Sequence, residues 1–142
     1  MILRKSTKSH TIVLIILTMI FTILIAQQVW ASAVSTVTIS GSYSTIGGYP
    51  HYNIAVEGIT TDSSTPISNI YSIDAKVVAY KNGVLAGSGS TINYSSNVVR
   101  KTLNLTDYDG GYWEAYNVGQ SIYTDGSKSS SESYDDHYFV AP

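Results

Sequence analysis

The residues able to do chemistry in this 142-residue chain are few and poorly grouped. Cysteine is absent, so neither a thiolate nucleophile nor a soft metal site can form. A serine nucleophile needs a base beside it, and His51 and His137 are the only histidines beyond residue 10. No Gly-x-Ser-x-Gly turn joins a strand to a helix. Glycoside hydrolysis needs two carboxyl groups facing across a cleft. Glu57 and Glu114 are the acids predicted within strands away from their turns, and nothing pairs them. Asp135-Asp136-His137 makes a poor transition-metal site, because three neighbours on a strand alternate faces. The chain reads as a non-enzyme.

Two constellations remain. Asp107-x-Asp109-Gly110 opens like a calcium loop, but an EF-hand carries Glu at its twelfth position and Val118 stands there. The expectation is at most a calcium site built on Asp107, Asp109 and a further turn acid, with no other cofactor. The second constellation is aromatic. Tyr108, Tyr112, Trp113 and Tyr116 lie within nine residues of a chain holding twelve Tyr, amid many Ser, Gly and Asn. Rigid amphipathic rings with small polar neighbours suit adaptable binding, so these four are the candidate platform for a surface protein or a carbohydrate. The plainer role for the same residues is cross-strand packing in a sheet with one wet face. Asn93-Tyr94-Ser95 and Asn104-Leu105-Thr106 are glycosylation sequons, used only if the source glycosylates its exports.

The elements that must position these residues are strands. Past the leader no stretch keeps an apolar stripe at helical spacing, whereas period-two alternation recurs throughout. Strands are expected over residues 36–44, 51–58, 70–80, 84–94, 98–106, 112–123 and 131–140. Asn82-Gly83 is the strongest local signal, since both residues accept the positive φ of a type I′ hairpin turn. Gly87 and Gly89 point to a bulge or bent edge in the returning strand. Residues 60–68, TTDSSTPIS, read as a polar loop. Lys101 falls among the apolar positions of its strand, which places it at a rim or edge.

Seven short strands with turns between them imply an all-β, antiparallel two-sheet sandwich. The stretch from Leu105 through Asp107 and Gly111 to Tyr112 resembles the approach to strand F of immunoglobulin-like domains. That resemblance implies that Tyr112 is a tyrosine-corner residue, its hydroxyl bonded back to the preceding turn. The Asp is one position off the usual spacing, the disulfide pair is missing, and Trp113 lies on the wrong strand for the usual core tryptophan. A jelly roll or small barrel fits the pattern less well.

Residues 1–33 read as a cleaved, apolar, helical signal peptide. Arg4, Lys5 and Lys8 precede an apolar run from Ile12 to Ala26, and Ala31-Ser32-Ala33 supplies the small-x-small cut. The run is shorter than the roughly 20 residues a full span needs, so retention as an anchor is the lesser alternative. One domain, residues 34–142, is then expected outside the cell, touching a membrane only through an uncleaved leader. It carries five basic and ten acidic residues, a formal charge of −5, which argues against a nucleic-acid partner.

The reading from sequence is a secreted, non-catalytic β-sandwich with a binding or structural role at or near the cell surface. Its alternative is a small secreted antagonist, bacteriocin-like toxin or inhibitor. Far-ultraviolet circular dichroism of residues 34–142 should show a β spectrum and one cooperative melt; a helical spectrum would refute the strand assignment.

Overall fold

A computed structural model describes residues 33–63 and 66–140. The expected leader lies outside them apart from Ala33, as do residues 64 and 65 of the polar loop. Seven strands follow one another: β1 (Ala33–Ile46), β2 (Tyr49–Asp62), β3 (Ile70–Lys81), β4 (Val84–Tyr94), β5 (Val98–Asp107), β6 (Gly111–Tyr123) and β7 (Lys128–Phe139). A single 3-10 turn, Ile67–Asn69, leads into β3. The strands form two antiparallel sheets ordered β1-β2-β5 and β4-β3-β6-β7.

The alternation that identifies the strands also builds the core. On β1 and β2, Val37, Ile39, Ile54 and Val56 turn inward, and Val77 and Ala79 of β3 meet them from the other sheet. A second apolar cluster holds Ile70, Ile73, Ala75, Val99 and Tyr123. β1 begins at Ala33, the residue expected to end the leader; Ala33 is buried and its N–H donates to Ser129 Oγ at 3.0 Å.

Between these two clusters the interior is polar. Asn117 of β6 is fully buried, and its amide nitrogen donates to the carbonyls of Thr36 and Ile59 at 3.1 Å each. Thr60 and Ser35 lie beside it, joined by a 3.5 Å hydroxyl contact. The expected loop over residues 60–68 therefore starts too early. Thr60 and Asp62 are buried positions of β2, and Asp62 accepts a 2.6 Å hydrogen bond from the Tyr123 hydroxyl. Polar residues satisfied from the facing sheet give no apolar signal along their own strand.

Glycines set how closely the sheets approach. A Cβ on Gly119 would overlap Thr60 Oγ1 and Ser35 Oγ, and one on Gly58 would overlap Val77 and Asn117. Asn82 and Gly83 take positive φ, 47° and 77°, and close the β3–β4 hairpin. One residue beyond Leu85 the register slips: Tyr80 faces Leu85 while Ala79 faces Gly87, leaving Ala86 as the extra residue of a bulge. Gly87 and Gly89 make room for β5, because the side chains of Leu105 and Lys101 occupy the space a Cβ would take. Lys101 is half-buried on β5, an edge strand of its sheet.

Gly119→Ala should destabilise the domain by about 1–3 kcal/mol, the usual cost of forcing an extra carbon into a packed interior. The midpoint of urea unfolding reads this directly, and an unchanged midpoint would contradict the close approach.

Candidate functional site

β6 carries three of the four aromatic residues singled out from sequence, and its pleat divides them. Trp113, Ala115 and Asn117 face the interior, while Tyr112, Glu114 and Tyr116 face outward. Trp113 is only 2% exposed and packs with Tyr52, Ala79 and Phe139 in the main core cluster. It is a core residue, not part of a surface platform. Its size makes it one of the largest contributors to burial, in the class whose truncation costs about 3–5 kcal/mol. Tyr108 lies elsewhere, 62% exposed in the β5–β6 turn with its ring edge-on to His51 at 5.4 Å. With Ile46, Tyr49, Pro50 and His51 it lines a separate apolar hollow of about 510 Å³ at the tip of the β1–β2 hairpin.

The register of β6 with its neighbours brings other tyrosines to the outer face. Val78, Tyr116 and Tyr134 are cross-strand partners in one row, Tyr80, Glu114 and Asp136 in the next, and Tyr112 with Tyr138 beyond that. Tyr116 and Tyr134 stack tilted at 5.0 Å between ring centroids, and Tyr80 meets Tyr116 edge-on at 6.1 Å. The Tyr112 hydroxyl lies 3.0 Å from that of Tyr134 and donates to Asp136 Oδ2 at 2.9 Å. Tyr134 Oη donates to Glu114 Oε1 at 3.4 Å. Four tyrosines and two carboxylates thus form one connected outer surface across β3, β6 and β7, with Tyr138 beside it opposite Tyr112.

Tyr112 is not a tyrosine corner: its hydroxyl points across to β7, not back to the turn before β6. The turn is fastened by backbone instead. Tyr112 N–H donates to Asn82 Oδ1 at 3.0 Å, and Asn82 N–H returns to the Tyr112 carbonyl at 2.8 Å. The Tyr112 phenol is held above its ordinary value of 10.0, first by its hydrogen bond with Tyr134 and then by that with Asp136. Tyr116 is also raised, chiefly by desolvation and then by the charge of Glu114.

No protein-family model matches this chain, and no curated protein matches it either. What the surface can do must be read from its own groups. It offers ring faces, phenol oxygens and carboxylates.

The expected calcium pair has a different occupant. The ammonium of Lys81, at the end of β3, lies 2.5 Å from Asp107 Oδ1 and also bonds Asp109. The Asp107 side chain is 8% exposed and Asp109 lies open to solvent. Among the described residues, no group of three or more acidic or histidine side chains gathers as a metal would require. Desolvation pulls the Lys81 ammonium down, but the hydrogen bonds and charges of Asp107 and Asp109 together outweigh it and hold it above 10.5. Asp109 is held below 3.8, mainly by its hydrogen bond from Lys81 and by the charge of that ammonium.

The sequence signals for this site were uneven. Two adjacent aromatics on a strand must face opposite ways, so Tyr112 and Trp113 were separable by parity alone. Tyr80 and Tyr134 join the face through cross-strand register, which lies in no local motif. Lys81 was hidden because 26 residues separate it from Asp107.

Lys81→Met leaves Asp107 buried without its cation and should cost about 1–3 kcal/mol in chemical denaturation. The pH dependence has a definite sign. A raised Lys81 contributes stability that is present below pH 10.5 and lost above it, and a lowered Asp109 contributes stability present above pH 3.8 and lost as pH falls. In Lys81→Met the alkaline loss should shrink by the Lys81 share and keep the part due to the raised Tyr112 and Tyr116 phenols; an unchanged alkaline limb would contradict the ion-paired arrangement.

Proposed function

We propose that this chain is a secreted, non-catalytic immunoglobulin-like module that binds a partner at or near the cell surface through the outer face of its four-stranded sheet. The strand order supports the fold assignment. With strands lettered in chain order, the sheets are A-B-E and D-C-F-G, the constant-type immunoglobulin arrangement with its fourth strand moved across to pair with the third. The apolar leader and the lack of cysteine are compatible with a secreted product free of both lipid anchor and disulfide.

The observation that carries the binding role is the connected tyrosine surface of β3, β6 and β7. Tyr116, Tyr134 and Tyr138 are 40%, 48% and 64% exposed. Singly scattered surface aromatics need no explanation, but a contiguous set sharing stacking and hydrogen bonds marks an interaction site. Aromatic anchors of this kind give contact area at little cost in side-chain entropy. Nothing particular in the structure favours the antagonist alternative.

The test is labelling of the producing cells with the purified domain. Wild-type protein should label the envelope saturably, and Tyr116→Ala/Tyr134→Ala should reduce labelling roughly tenfold or more, as loss of two central aromatic anchors does. The double change also removes the Tyr116–Tyr134 cross-strand contact, so it should cost about 1 kcal/mol of stability and leave the domain folded at the labelling temperature. Equal labelling by the two proteins would remove the tyrosine face from the reading.

A further inference from the structure

The hydrogen-bond inventory of the tyrosine face narrows its ligand, on the reading that this face is the binding surface. Each phenol has one proton to give. Tyr112 gives its proton to Asp136, and Tyr134 has its hydroxyl directed at Glu114 and at Tyr112. The Tyr112 and Tyr134 hydroxyls are therefore spent internally, while those of Tyr80, Tyr116 and Tyr138 stay open as donors and acceptors. The free lone pairs of the two carboxylates add acceptor capacity that carries negative charge.

Charge points the same way. Glu114 and Asp136 lie side by side in the row that also holds Tyr80, between the Tyr116–Tyr134 row and the Tyr112–Tyr138 row. Among the described residues the ion pairs are those of Lys81 with Asp107 and Asp109 and of Arg100 with Glu57, and neither Glu114 nor Asp136 takes part in one. On this face, Lys76 is set across from Val118 and Lys128 across from Ile122, outside the three tyrosine rows. Two uncompensated carboxylates thus sit among tyrosine rings, whose faces are themselves electron-rich.

A sugar could use the open phenols but would leave the charge of the two carboxylates unmatched. A guanidinium has five N–H donors, no acceptor and a positive charge, and its plane stacks on an aromatic face. It complements the negative charge and free lone pairs of the two carboxylates and the electron-rich rings beside them.

We infer that the outer face of β3, β6 and β7 is a docking surface for an arginine-bearing basic segment of a partner protein. One guanidinium lies over the Tyr116–Tyr134 pair and donates to Glu114 and Asp136. The five-to-ten imbalance of basic and acidic residues over residues 34–142 draws such a segment in and makes the association salt-sensitive.

The experiment is a titration of the labelled domain, followed by backbone and tyrosine-ring NMR shifts. The probe is a blocked hexa-arginine peptide, and the citrulline peptide of equal length is the neutral control. Shifts should be saturable and centred on Tyr80, Glu114, Tyr116 and Tyr134, with the citrulline peptide binding at least about tenfold more weakly. Glu114→Gln/Asp136→Asn should weaken hexa-arginine binding by a similar factor with no change in melting temperature. Asp125→Asn, in the β6–β7 turn away from the face, should leave it unaltered. Equal binding of the citrulline peptide, indifference to the Glu114/Asp136 change, or equal loss in Asp125→Asn would overturn the inference. If cell labelling depends on Tyr116 and Tyr134 while hexa-arginine leaves the face undisturbed, the surface keeps its binding role and only the cationic ligand is wrong.

Discussion

Every other feature of this domain depends on two sheets being held at one spacing and one offset without a covalent link. Apolar burial supplies the attraction but is non-directional, and it would tolerate sliding of one sheet over the other. Direction comes from Asn117, whose amide spans from β6 to carbonyls on both β1 and β2. Gly58 and Gly119 complete the fit by leaving the gaps that Asn117, Thr60 and Ser35 fill. An amide donor buried between sheets is satisfied in one offset only, so a slip would leave it unpaired at a cost of about 1–3 kcal/mol. In a chain with no cysteine, this polar layer does the aligning that a disulfide does elsewhere.

The seam between the edge strands β1 and β7 follows the same pattern. It is not a ladder of backbone bonds. Ser129 accepts from the Ala33 N–H, Ser131 exchanges bonds with Ser35, and Asp135 accepts from the Ile39 N–H at 2.7 Å. Inward-pointing polar and charged groups at an edge discourage pairing with other chains. With β7 fixed by its inward serines and Asp135, its outward residues Tyr134, Asp136 and Tyr138 are held rigidly beside those of β6. The tyrosine face is in this sense a product of the seam behind it.

The strands were legible because their alternation is a local property, and the Asn82-Gly83 hairpin because the turn chemistry is contained in two residues. Thr60 and Asp62 were not legible as strand. They are polar residues whose burial is licensed by Asn117 and Tyr123, more than fifty positions away. Trp113 was misassigned for a different reason: grouping it with Tyr112 ignored the pleat, although the parity of β6 was available. Tyr108 looked like a neighbour of Tyr112 in the chain, but the β5–β6 turn sends it to the hairpin tip. The aromatic site as observed is a cross-strand object. One strand of it could be read, and the register that adds Tyr80 and Tyr134 could not. The acidic turn was ambiguous because a metal and an ammonium demand the same carboxylates, and Lys81, which pairs with them, lies 26 residues away in the chain.

The relative direction of the first and last strands has a mechanical corollary. Ala33 lies against Ser129 near the start of β7, and Gly41 lies under the ring of Phe139 at its end, so β1 and β7 run the same way along their seam. The polypeptide thus enters at one pole and leaves at the other. Tension applied between the two poles runs lengthwise along these strands and loads their cross-connections together in shear, instead of peeling them apart one by one. At about 3.3 Å per residue the twelve to fourteen residues of these strands make a strut of roughly 40–45 Å. The tyrosine surface lies on the flank of that strut.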